Sequence, residues 1–320
     1  MSNRPWRLAA GTLLSVGLLW LAARGVSWAD VAVALGSARW TLVAVATTAI
    51  LGATVLRAWC WRRLLVATTA PVTLVRAWKI FLIGQFLNIC VPAPRAGEVA
   101  RVYLISDAAS MSKTGAATSL VVEKFFDLTT LLLLLGPLSL LLELPVALIG
   151  VKRGFAVAAV VLPLSVIVLA WRGAALVRLL ERYADGDDGR VARLAGFGKT
   201  VVESLAVIRS WQRLALMQAG YLGVWLALMG ANYAVLRAVG IDGGFGAAFV
   251  VMLALQLGIS VPSTPGKIGV FQYVAVLALA PFGVAREPAL TFGVLMHLVG
   301  FGPLVALGGC FSWIGLARKR

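Results

Sequence analysis

The chain has 320 residues, of which 61% are hydrophobic and only 13% charged, with a mean hydropathy of +0.93. A soluble domain carries about 25% charged residues, so a soluble globular enzyme is excluded, and several apolar runs reach membrane-spanning length. The net charge of +16 does not point to nucleic acid, because the cations stand between apolar runs, where cytoplasmic loops of membrane proteins carry their excess of Lys and Arg.

The first apolar run, 8–23, follows Arg4 and Arg7 and has the look of a secretory signal. No small-residue cleavage site follows it, so it is expected to stay as an uncleaved helix. A second span is predicted over 40–56. Residues 57–79 hold Arg57, Arg62, Arg63, Arg76 and Lys79 and no acid, which reads as a cytoplasmic loop. Residues 80–110 contain "NICVPAPRAGEVARVYL", starting at Asn88. Their second arm holds Arg95, Glu98, Arg101 and Asp107 and could not cross lipid as a lone helix. Full spans are predicted at 115–140 and 154–171. Residues 172–212 are charged, mixed and helix-prone, which predicts an amphipathic interfacial connector with a turn near 185–189. Spans at 213–236 and 290–316 follow, and between them 246–282 contains "VPSTPGKIGVFQ" from Val261.

The Lys and Arg bias puts both termini, the 57–79 loop and the connector in the cytoplasm, with Lys152 and Arg153 as exceptions. Parity then requires 80–110 to enter and leave on the cytoplasmic side, as a re-entrant hairpin with its tip at 92–94. Residues 246–282 mirror it from the outside, with a tip at 262–265, although their second arm is apolar enough that two full crossings also satisfy parity. The expected fold is a single all-α transmembrane domain over 1–320 with about six full spans and two opposed re-entrant hairpins. Its halves, 40–171 and 213–316, form an inverted-topology repeat around the connector. Paired Gly/Pro-interrupted apolar segments in corresponding halves are the usual pointer to a transporter site.

Each tip is expected to start a half-helix. Pro94 would take the first helical position of one, and Thr264 would cap the other with Pro265 at its first position. Unpaired N–H groups and the positive dipole end would then face the tip, next to Arg95 in one and Gly266 and Lys267 in the other, which suits an anion such as phosphate. On 115–140, Ser119, Glu123, Asp127 and Thr130 fall within roughly 80° of arc at 100° per residue. A charge at mid-bilayer costs roughly 2.5–3.5 kcal/mol, so these groups must face the bundle interior, paired or wet. Lys124 falls to one side. Glu123 with Arg101 is one candidate pair, and a headgroup or proton site is the functional alternative. Gln218, Tyr221, Trp225 and Asn232 form a second stripe on 213–236, where interhelical hydrogen bonding is the simpler role. His297, the only histidine, is either a hydrogen-bonded packing residue or a protonatable partner for Glu123 or the cargo.

Cys60, Cys90 and Cys310 lie far apart without metal spacing. No phosphate loop, dinucleotide fingerprint or hydrolase motif is present. No cofactor, metal or catalytic residue is expected.

"FLNICVPAPRAGEVARVYLI", "TSLVVEKFFDLTTLLLL" and "VPSTPGKIGVFQ" together resemble the flippase-like family typified by the transmembrane region of lysylphosphatidylglycerol synthase. The likeness runs from about Arg57 to the end and matches at Arg95, Gly97, Glu98, Arg101, Glu123, Lys124, Asp127, Pro262, Pro265, Gly266, Gly269 and Phe271. It implies a multi-pass inner-membrane protein that moves a polar-headed lipid between leaflets, here without the synthase domain. The chain departs from the family's pattern at Lys267, where a glycine is usual, at Gln272, where an acid is usual, and at His297, where an arginine is frequent. The expected cargo is a membrane phospholipid or a lipid-linked carrier. A membrane-embedded enzyme or accessory subunit acting on a lipid-linked sugar is the alternative.

Overall fold

The computed structural model describes residues 5–65, 71–91, 93, 95–141, 157, 161, 172, 211–258 and 264–317. Among these the regular structure is helical throughout. Helices α1 (Pro5–Ala23) and α2 (Trp28–Gly36) lead into α3 (Trp40–Leu64), α4 (Leu74–Cys90), α5 (Ala96–Ala109) and α6 (Lys113–Leu141). The second half holds α7 (Trp211–Ala238), α8 (Gly244–Gly258), a 3-10 turn at Pro265–Lys267, α9 (Val270–Leu279) and α10 (Arg286–Ala317). The expected span 154–171 and connector 172–212 fall almost wholly outside the described residues.

Trp40–Leu64, Trp211–Ala238, Pro265–Phe282 and Arg286–Ile314 are long and apolar enough to cross a membrane. The third is not one helix, because Gly266 and Gly269 take φ of +77° and +88°, a region closed to ordinary helix. The loop expected at 57–79 is corrected at both ends, since α3 runs on to Leu64 and α4 starts at Leu74. Arg57, Arg62 and Arg63 are therefore helix residues. The last two sit in the final turn of α3, where the negative dipole end favours a cation.

Helices α3 and α7 lie antiparallel. The Arg39 N–H donates to the Ala238 carbonyl at 3.0 Å at one end, and Cys60 lies against Gly220 near the other. Around this pair, α4 packs on α3 and α5, α5 on α6, and α6 on α7. In the second half α8 packs on α7 and α9, α9 on α10, and α10 on α3. Helix α10 also crosses α4, so closely at Gly308 that a methyl group there would collide with the Leu82 carbonyl.

Helices α4 and α5 form a tight hairpin. Gly97 rests on the backbone of Gly84, and a side chain at Gly97 would overlap the Gly84 carbonyl. The Asn88 Oδ1 accepts the Gly97 N–H at 2.8 Å. At the open end, Trp61, Ala77, Ile105, Ala108 and Ala116 share one buried cluster. The end of α3, the starts of α4 and α6 and the end of α5 are thus neighbours, and the hairpin leaves and returns at the same end of the bundle.

Candidate functional site

Every residue of the α6 stripe finds a partner on another helix. Ser119 Oγ accepts from Trp61 Nε1 at 3.0 Å. Glu123 takes the Arg101 guanidinium in a two-point bond, Nη1 to Oε1 at 3.2 Å and Nη2 to Oε2. Asp127 Oδ2 accepts from Arg57 Nη1 at 2.8 Å. Thr130 Oγ1 accepts from Gln218 Nε2 at 2.6 Å. The α6 stripe therefore faces α3 and α5 and, at Thr130, the polar-aromatic stripe of α7, from which Tyr221 stacks on Phe126 with ring centroids 5.6 Å apart.

The Arg101 and Glu123 side chains are 3% and 1% exposed, a depth at which neither charge would survive alone. Arg101 is further held between aromatic faces, its guanidinium carbon 4.1 Å from the Trp61 ring centroid and 4.9 Å from that of Phe81. Its aliphatic stem lies against Gly84, where a methyl group would press into it. Planarity and stacking make Arg, not Lys, the cation for such a slot. Trp225 flanks Arg57 at 6.0 Å. Within this cluster Arg101 Nε, Asp127 Oδ1, Tyr221 Oη and Trp225 Nε1 are buried and have no hydrogen-bond partner among the described residues.

A second, outer group joins the first tip to α6. Glu98 lies 3.6 Å from Lys124 Nζ and 3.7 Å from Arg95 Nε. The Arg95 side chain is 84% exposed, so of the expected site residues it is the one most open to a ligand.

The expected helix starts need correction. Helix α5 begins at Ala96, with Arg95 as its N-cap residue in the left-handed conformation, φ 60°. Thr264 and Pro265 open only the three-residue 3-10 turn, which the Thr264 side chain does not cap. Helix α9 starts later, at Val270, because Gly266, Lys267 and Gly269 all have positive φ. Arg95 and Lys267, the two tip cations, thus share a conformation that non-glycine residues seldom adopt. The Thr264 hydroxyl and amide both hydrogen-bond to Ser15 Oγ of α1, at 3.0 and 3.1 Å. Gln272 is buried, and its Oε1 accepts the Gly269 N–H at 2.8 Å, reaching back to cap α9. His297 sits between Phe271 and Phe301, with ring centroids at 5.2 and 4.6 Å. Glu123 is held by Arg101, not by this histidine.

Sequence reasoning missed Arg57, Trp61, Phe81 and Asn88. Arg57 and Trp61 stand four apart on α3, and that spacing was the available signal. Their partners are far off along the chain, Asp127 by 70 residues.

The protein is a multi-pass, all-α membrane protein in which Ser119, Glu123, Asp127 and Thr130 of α6 are paired with side chains of neighbouring helices. The model of the lysylphosphatidylglycerol synthase transmembrane region matches residues 8–308. That is nearly the whole chain, and the chain belongs to this family, which ties it to a lipid-related function. A comparison with curated proteins finds no match.

Proposed function

We propose that the protein moves a polar-headed, phosphate-bearing lipid between the leaflets of the inner membrane. The observation that carries this reading is the cluster of two ion pairs, Arg101 with Glu123 and Arg57 with Asp127, in the middle of an apolar bundle. Four unpartnered polar atoms border it. Leaving such groups idle in a membrane protein is expensive, and ionisable residues at membrane depth by default mark a substrate or ion route. In this reading Arg95 and Lys267 meet the phosphate first, Glu98 and Lys124 line the approach, and Glu123 and Asp127 take a cationic group or protons.

An inverted repeat of α3–α6 and α7–α10 accompanies the proposal. Pairwise packing supports it. Exchanging α3 with α7, α4 with α8, α5 with α9 and α6 with α10 turns α3·α4, α4·α5, α5·α6 and α6·α7 into α7·α8, α8·α9, α9·α10 and α10·α3, all of which are present. Helix lengths support re-entrant hairpins. Helices α4, α5, α8 and α9 have 17, 14, 15 and 10 residues, against about 20 for a full crossing.

Two experiments test this. Purified protein in liposomes should transfer fluorescent phospholipid between leaflets, and Glu123→Gln should lower that rate at least tenfold while the protein still inserts and purifies. Normal transfer by Glu123→Gln would remove the acid from the mechanism. For topology, single cysteines at Ala93 and Pro265, in a background lacking Cys60, Cys90 and Cys310, should react with small polar thiol reagents from opposite faces. Reaction from one face would end the inverted-repeat reading.

A further inference from the structure

A cavity of about 400 Å³ lies where α1 ends, beside α9 and the start of α10. Its polar end is formed by Arg24 and Arg286, its wall by Leu21, Val276 and Leu277. Arg286 Nη1 donates to the Arg24 carbonyl at 3.2 Å, which anchors the Arg286 guanidinium at the end of α1, in the lining that Arg24 shares. The Arg24 guanidinium lies 5.3 Å from the Trp20 ring centroid, so it too is pre-positioned. Neither guanidinium makes an ion pair with any of the described residues. Two cations lining one cavity without an ion-pair partner repel, and Arg286 also stands in the first turn of α10, where the helix dipole disfavours a cation. An anion would relieve both. The wall suits only one kind of anion. Leu21 and Leu277 are 41% and 53% exposed, an apolar surface suited to hydrocarbon in the same lining as two guanidinium groups, which suit phosphate. Helices α1 and α9, which line the cavity, also meet at the second tip, where Thr264 bonds to Ser15.

We infer that this cavity binds a phospholipid, with Arg24 and Arg286 on its phosphate and an acyl chain along Leu21, Val276 and Leu277. Binding as such does not depend on transport. Only the role, a port where cargo is taken up or released near the second tip, rests on the function proposed above.

The test is native mass spectrometry of the full-length protein in neutral detergent, titrated with short-chain phosphatidylglycerol, diacylglycerol, glycerol 3-phosphate and inorganic phosphate. Arg24→Gln with Arg286→Gln should remove one tightly bound phosphatidylglycerol, weakening it at least tenfold, and leave diacylglycerol unchanged. Arg24→Gln alone, which spares the Arg286 bond, should give most of that loss even if the double variant folds poorly. Arg24→Lys with Arg286→Lys should keep binding within a few-fold. Leu277→Gln should weaken the lipid and not glycerol 3-phosphate. Unchanged lipid binding in both glutamine variants would overturn the inference. So would glycerol 3-phosphate or inorganic phosphate binding as tightly as the lipid, which would make this a site for free phosphate. Glu123→Gln should retain this bound lipid while failing in transfer, so a failure here and a failure of the transport reading are told apart.

Discussion

Arg101→Met should destabilise the protein by about 3–5 kcal/mol, because it leaves the Glu123 carboxylate buried without its partner. The loss should be read by reversible unfolding in mixed micelles, as a lower denaturant midpoint. Replacing both residues, Arg101→Met with Glu123→Met, should recover most of it, since two well-packed apolar side chains of similar volume often match a buried pair. The contrast separates structure from function. The double variant should be folded and still fail to move lipid if the pair takes part in transport. If it is folded and moves lipid normally, the pair only braces α5 against α6.

Gly97→Ala is expected to be nearly as damaging, although it adds a single methyl group. That methyl would fall on the Gly84 carbonyl, which is backbone and cannot swing aside. Helices α4 and α5 would have to separate, losing the Asn88 cap on Gly97 and drawing Arg101 from its slot. Forced insertion into a well-packed core costs about 1–3 kcal/mol or more, and the upper end applies where backbone is struck. Gly52→Ala on α3 is the matched control, because a methyl group there meets nothing within 4 Å. Its unfolding midpoint should equal or slightly exceed that of the parent, as alanine is the better helix former. Similar losses at both positions would mean that the Gly84–Gly97 contact is not what holds the hairpin.

Much of this architecture is legible in the residues. Apolar runs mark most of the long helices because a bilayer demands unbroken hydrophobic length. The period of Ser119, Glu123, Asp127 and Thr130 marks one face, and that face is the buried one. What periodicity does not carry is the partner. Arg57 reads as a loop cation because positive charge after an apolar run has that meaning most often, and only the fold brings it to Asp127. The helix starts at the tips were misplaced for a related reason. Proline favours a first helical position wherever it stands, but Gly266 and Gly269 hold the chain in left-handed turns that delay α9 to Val270. Gln272 stands at a departure from the family's pattern, and its carboxamide oxygen takes part in capping α9.

The Gly84–Gly97 contact has a mechanical consequence. Two helices joined backbone to backbone cannot slide past each other, so the α4–α5 hairpin can tilt only as one rigid arm. Arg101 rides on that arm and Glu123 does not, so any tilt pulls the guanidinium off the carboxylate. A bare carboxylate at that depth is too costly to persist, so in the transport reading proposed above the arm would swing only when a proton or a cargo cation takes the vacated place. Under that proposal, displacement of the arm and occupancy of Glu123 would be one event, an interlock in which neither proceeds without the other.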